Sequence, residues 1–81
     1  MNLEIITPEK NVFKGEVISV TFPGTDGSFQ ILNDHAPLIS TLRQGMVVYK
    51  DKKEEYEVEI TGGMVEVLNN NVIVLAEGTI D

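Results

Sequence analysis

Apolar residues in this chain recur at every second position and almost nowhere at every third or fourth. In EEYEVEI, Tyr56, Val58 and Ile60 alternate with Glu55, Glu57 and Glu59, the pattern of a strand with one face in a core and the other in water. Ile18, Val20 and Phe22 alternate in the same way with Val17, Ser19 and Thr21, and Leu3 and Ile5 begin another such run. Val65 and Val67 alternate with Met64, Glu66 and Leu68, which makes that strand apolar on most of both faces. Val47 to Tyr49 and Val72 to Ala76 are continuous and rich in β-branched residues, as central strands are. Turn chemistry punctuates these runs at Pro8-Glu9-Lys10-Asn11, Pro23-Gly24, Asp26-Gly27, Asn33-Asp34, Gln44-Gly45, Asp51-Lys52-Lys53, Gly62-Gly63 and Asn69-Asn70-Asn71. No segment long enough for a substantial helix carries an i, i+3, i+4, i+7 stripe. The expected fold is therefore all-β: a small flattened β-sandwich or barrel of about nine to ten short strands with no long helix.

At 81 residues the chain is expected to form a single domain spanning residues 1–81. Its radius of gyration should be roughly 12 Å. It buries only about 60–65% of its unfolded surface, so the core is thin. Cysteine is absent, which removes disulfides, thiolate metal sites and cysteine nucleophiles at once. Thirteen acidic against six basic residues give a net charge of −7. Nucleic acid and anionic bilayers repel such a chain unless its cations cluster. Here Lys10, Lys14, Arg43 and Lys50 are scattered, and only Lys52 and Lys53 adjoin. A basic protein surface is the partner such a domain suits. The N-terminal stretch MNLEIITPEK lacks the pattern of a secretory signal, and the longest apolar run, Val72 to Ala76, falls far short of the ~20 residues that span a bilayer.

The segment GTDGSFQILNDHAPL, Gly24 to Leu38, holds the single histidine, His35, together with Asp26, Asp34 and Pro37. Ser28, His35 and Asp34 do not make a convincing triad. Asp34 adjoins His35 in sequence, where its carboxylate seldom faces the ring, and no nucleophile elbow precedes Ser28. Asp26, Asp34 and His35 are a poor metal set, since zinc wants several His or Cys ligands and calcium loops want carboxylates at alternate positions. No phosphate-cradling GxxxxGK[ST] or GxGxxG motif occurs, so no cofactor is expected. Asp26 and Asp34 read as turn residues bonding their own backbone. A second candidate is Lys50-Asp51-Lys52-Lys53 at a hairpin tip between VVY and YEVEI. Small acidic all-β carrier domains display a lipoylated or biotinylated lysine at such a tip, and Asp51-Lys52 is similar to the lipoyl pattern. Ordinary hairpin composition explains the same residues and is preferred.

Taken together, TPEKNVFKGEVISVTFPGTDGSFQILNDHAPLISTLRQGMV and ITGGMVEVLNNNVIVLAE resemble the N-terminal part of the ε subunit of the F-type ATP synthase. The match runs through Pro23-Gly24, Asp26-Gly27, His35-Ala36-Pro37-Leu38, Gly45, and Gly62-Gly63 followed by Val65-Glu66-Val67. It covers essentially the whole chain. The resemblance implies a ten-stranded β-sandwich without catalytic residues. It also implies a place on the rotor, docked on the γ subunit and resting on the ring of c subunits, so that proton flow is coupled to ATP synthesis. The implied interface is Gly27, Ser28, Phe29, His35, Ala36, Pro37, Leu38 and Ser40, with Ser28 toward the ring and His35 toward γ. If the chain is bacterial, the implied location is peripheral, on the cytoplasmic face of the membrane, with no insertion into it. Four positions depart from the family: Ser28 replaces a usual acid, Gln30 a glycine, and Asn33-Asp34 a Pro-Gly pair. The family also continues past a segment like TID into an ATP-responsive helical hairpin, whereas this sequence ends at Asp81.

These 81 residues offer phosphates neither a backbone cradle nor an adjoining cation. Calorimetry of this chain at millimolar ATP should give no saturable heat, and a clear isotherm would make the Gly24–Gly27 loop a nucleotide site.

Overall fold

A computed structural model describes residues 1–80. Ten strands follow one another: β1 (Asn2–Ile6), β2 (Asn11–Glu16), β3 (Ser19–Gly24), β4 (Gly27–Leu32), β5 (Leu38–Leu42), β6 (Gly45–Lys50), β7 (Glu55–Ile60), β8 (Gly63–Leu68), β9 (Asn71–Ala76) and β10 (Thr79–Ile80), with no helix among the described residues. Hydrogen bonding runs β10-β7-β6-β3-β5-β8-β9-β1-β2, and β4 pairs with β3 outside that path. All pairs are antiparallel except β1 with β9.

The path folds on itself into two leaves. One is β4-β3-β6-β7-β10 and the other β2-β1-β9-β8-β5. Among the described residues a single register pair, Gly24 opposite Leu42, joins them. Two backbone hydrogen bonds flank it, Thr25 N to the Thr41 carbonyl at 3.2 Å and Arg43 N to the Pro23 carbonyl at 2.9 Å. Leu3, Ile5, Val65, Val67, Val72 and Val74 from one leaf and Val20, Phe22, Ile31, Val47 and Ile60 from the other share one buried cluster. Period-two alternation places them there, and each such side chain contributes roughly 1.5–3 kcal/mol by leaving water. Phe13, Tyr49 and Tyr56 add an aromatic ladder, with ring centroids 4.5 and 5.4 Å apart. The radius of gyration is 11.3 Å, close to the value expected from length.

Turn chemistry explains the tight connections. Leu68 lies opposite Asn71, so Asn69 and Asn70 form a two-residue hairpin loop with φ of 52° and 62°. Such a loop needs positive φ at both positions, which asparagine tolerates. Gly24 is demanded by crowding rather than by φ. A Cβ there would meet the Gly27 carbonyl oxygen at 2.5 Å and the Phe29 ring at 2.8 Å.

Three expectations from the sequence need correction. Ile18 was expected on the core face with Val17 outward; instead Val17 is 2% and Ile18 44% exposed. Val17 N bonds the Met1 carbonyl on one leaf, whereas Ile18 N bonds the Lys50 carbonyl on the other. The chain changes leaf between them, and the alternation inverts. Pro23-Gly24 is strand, not turn; the reversal falls at Thr25-Asp26, because Gly24 pairs with Gly27. Proline is tolerated there because β3 has passed beyond its register with β6, which ends at Thr21, so no ladder donor is missed. Tyr56 lies opposite Tyr49 on the inner face but stays 37% exposed, and Val58 is only half-buried. β10 covers β7 only at Ile60 and Glu59, which leaves the first half of β7 an open edge.

Ile60 itself is fully buried. Replacing it with alanine should lower unfolding free energy by roughly 2–5 kcal/mol in urea titrations, a large share of the total for so small a domain. A loss below about half a kcal/mol, the usual surface effect, would contradict this register.

Candidate docking site

The connection between β4 and β5, residues 33–37, is held from outside itself. Asn33 Oδ1 accepts a hydrogen bond from the Met1 nitrogen at 2.7 Å. Asp34 N donates to Asn70 Oδ1 at 2.9 Å, and Asp34 adopts φ of 62°. The asparagine-rich β8–β9 turn therefore braces the corner before His35. His35 itself is exposed. Its Nδ1 lies 2.7 Å from the Ala36 carbonyl oxygen; a carbonyl can only accept, so Nδ1 carries the proton in this contact. Pro37 N carries no hydrogen, and its ring biases Ala36 toward extended backbone.

β4 and β5 are end strands of opposite leaves, since β4 pairs only with β3 and β5 meets β3 only at Gly24. Between them opens a cavity of about 230 Å³ lined by Phe29, Gln30, Ile31, His35, Leu38 and Ser40. The structure thus brings Phe29, His35, Leu38 and Ser40, expected at an interface, onto one cleft. Gly27 and Ser28 stand exposed at the start of β4, near the β3–β4 reversal. Ala36 and Pro37 are exposed, and Pro37 lines a neighbouring depression with Ile39, Glu66 and Leu68. The imagined Ser28, Asp34 and His35 are not joined by any hydrogen bond among the described residues. Nor does any group of three or more His, Asp or Glu side chains converge there as a metal ion would require.

Sequence reasoning passed over a second surface. On the outer face of the β5-β8-β9-β1 leaf, Thr41, Met64, Leu75 and Ile6 lie in one cross-strand row, and Ile39, Glu66, Ile73 and Glu4 in the next. Ile39 is 64% exposed, the most of any large apolar side chain described. The signal was present: Met64 and Leu68 made their strand apolar on both faces. No surface was inferred from it, and the structure leaves that outer face bare.

Ten strands in two leaves, with no helix among the described residues, define a small all-β sandwich. The chain belongs to the family described as ATP synthase, Delta/Epsilon chain, beta-sandwich domain, whose model matches residues 1–81. It is 47% identical over 76 residues to the ATP synthase epsilon chain of Chlorobium limicola, covering 93% of this chain and 86% of that one. The epsilon chain of Leptospira borgpetersenii is 39% identical over 77 residues, with 95% of this chain and 61% of that one covered. The chain thus spans most of one relative and about three fifths of the other. The fold recurs in a chain of the Tetrahymena thermophila mitochondrial ATP synthase central stalk/c-ring structure, with TM-score 0.85, 20% identity, and 99% of this chain and 65% of that one covered. It recurs also in the Euglena gracilis mitochondrial ATP synthase, with TM-score 0.89, 18% identity, and 96% of this chain and 51% of that one covered. The epsilon chain is a non-catalytic subunit of ATP synthase.

That membership leaves a carrier role for Lys52 without support, and the tip bearing it has a structural account. Asp51 Oδ1 accepts hydrogen bonds from Lys53 N and Glu54 N, both at 2.8 Å, and Tyr56 OH donates to Oδ2 at 3.2 Å. Asp51 therefore closes the β6–β7 turn, and Lys52 projects into solvent.

The backbone N–H groups of Lys53 and then Glu54 hold the Asp51 carboxyl below its ordinary value of 3.8. A carboxyl depressed in the folded state contributes stability that is present above its unfolded pKa and is lost as pH falls through the folded value. Stability should therefore decline below pH 3.8 in part through this turn. In Asp51→Asn, which cannot titrate, that acid limb should be shallower in denaturant titrations stepped through pH; an unchanged limb would remove Asp51 from the account.

Proposed function

We propose that this domain is a rotor module of a proton-translocating ATP synthase, docking on the γ subunit and the c ring so that proton flow is coupled to ATP synthesis. The observation that carries the reading is the cleft between β4 and β5, open on a domain whose family is that of the epsilon chain. Phe29, His35, Leu38 and Ser40 line it, Ala36 and Pro37 are exposed on the connection between β4 and β5, and all six face γ in this reading. Gly27 and Ser28, exposed beside the β3–β4 reversal, face the ring. The net charge of −7 favours approach to basic polar loops and speeds encounter. The domain acts through these contacts, as a rigid coupling piece without chemistry of its own. In a bacterium its place is peripheral, at the cytoplasmic face.

The reading separates stability from assembly. Ser28 and His35 are exposed, and the His35 ring bonds only its neighbour's carbonyl. Ser28→Trp and His35→Ala should each leave the melting temperature nearly unchanged. Reconstitution with γ and the c ring should weaken in both by about 1 kcal/mol or more, roughly fivefold in affinity, and proton-coupled ATP synthesis should fall with it. If His35→Ala melts early while the folded fraction assembles normally, the histidine is structural and the γ-facing assignment is wrong.

A further inference from the structure

A sheet's end strand presents unpaired N–H and C=O groups, and proteins protect such edges with charge, proline, bulges or short length. Two of this sandwich's four edges follow that rule. β2 carries Lys14 and Glu16, and its register with β1 shifts between Ile5 and Ile6. β10 has two residues, and the part of β7 beyond it carries Glu55 and Glu57. The two edges beside the cleft do not: β5 is LISTL, five residues without a charge or a proline, and β4 is longer. GSFQIL runs six residues without a charge or a proline, in unbroken register with β3 from Ser19–Leu32 to Gly24–Gly27.

The hydrogen-bonding phase of that edge is fixed by its neighbour. Around the Gly24–Leu42 pair the bonds run from Thr25 N and Arg43 N, so the N–H and C=O of Gly24 itself turn toward β4. Gly27, Phe29 and Ile31 then face β3, and alternation leaves the backbone groups of Ser28, Gln30 and Leu32 on the open side. Beside them lies the cavity of about 230 Å³ walled by Phe29, Ile31 and Leu38. Carboxylates flank the edge, with Asp26 before its first residue and Asp34 two residues past its last, both exposed.

We propose that β4 receives an added strand: an extended segment of the γ subunit, apolar at alternate positions and basic at both ends. Its main chain pairs with Ser28, Gln30 and Leu32. Its inward side chains sit beside Phe29 and Ile31 and fill the cavity toward Leu38, which exceeds the roughly 150 Å³ of an engineered void that takes up benzene. Its terminal cations meet Asp26 and Asp34. This is strand addition, in which the backbone supplies affinity and a side-chain pocket supplies selectivity. The proposal deepens the docking reading above and rests on it.

The test uses the domain with the γ subunit and c ring as binding probe. Gln30→Pro deletes an N–H that has no partner inside the domain, and Phe29 before it is already extended, so the fold should survive. Gln30→Ala keeps the N–H and isolates the side chain's share. The proline variant should bind roughly tenfold more weakly than the alanine variant. In the unmodified complex, amide exchange at Ser28, Gln30 and Leu32 should slow, a readout that holds even if the proline variant fails to fold. A complex that forms while those amides exchange as in the free domain overturns strand addition and leaves docking standing, as does equal binding by the two variants. Protection of those amides in the domain alone, growing with its concentration, would make the occupant a second copy and overturn the proposal. Failure of the unmodified domain to bind overturns both readings.

Discussion

One backbone bridge organises this molecule. Among the described residues Gly24 opposite Leu42 is the single register pair that joins the two leaves, and the core exists because the path folds there. The bridge depends on Gly24 having no side chain, since a Cβ would strike the Gly27 carbonyl and the Phe29 ring. It also depends on Pro23, whose carbonyl accepts from Arg43 N while its own nitrogen asks for no partner. Because β3 meets β5 only at its last residue, β4 and β5 diverge from the bridge and the cleft between them stays open. The cleft is thus the geometric consequence of how the sandwich is closed at one corner.

Much of this fold could be read from period-two alternation, because burial of one strand face is a local pattern with a global cause. Leu3, Ile5, Val65, Val67 and Ile60 fall where that pattern puts them. It misled where the chain changed leaf. Between Val17 and Ile18 the hydrogen-bonding partner switches from Met1 to Lys50, so consecutive residues obey two different sheets. Nothing in VISV marks that switch. Pro23-Gly24 misled for a related reason: the pair carries turn chemistry, but the edge it occupies has no donor to lose.

The site was less legible. His35, Ala36, Pro37 and Leu38 were picked out by a resemblance; the first three are exposed and Leu38 is half-buried. The bare outer face around Ile39, Met64 and Leu75 needed the structure, because a doubly apolar strand reads the same whether its second face is covered by protein or awaits a partner. The open edge of β4 needed it too. Whether Ser28, Gln30 and Leu32 turn their amides inward or outward depends on the phase of the bridge at Gly24, a relation no local sequence signal encodes.

A domain with so thin a core has little stability to spare, and its exposed apolar surface bears on how it uses that reserve. Ile39, Met64, Leu68 and Leu75 remain largely in water on one face, and Leu32 on the other leaf. Left uncovered they add nothing to folding, and an uncharged edge such as β4 invites association. Acidic residues limit the hazard. Glu66 and Glu4 interrupt the apolar rows, Glu55, Glu57 and Glu59 line β7, and the net charge of −7 makes copies of the domain repel one another. Long-range repulsion between like domains and short-range apolar contact with an oppositely charged partner act at different distances. In the docking reading proposed above, their combination disfavours self-association and favours a basic partner.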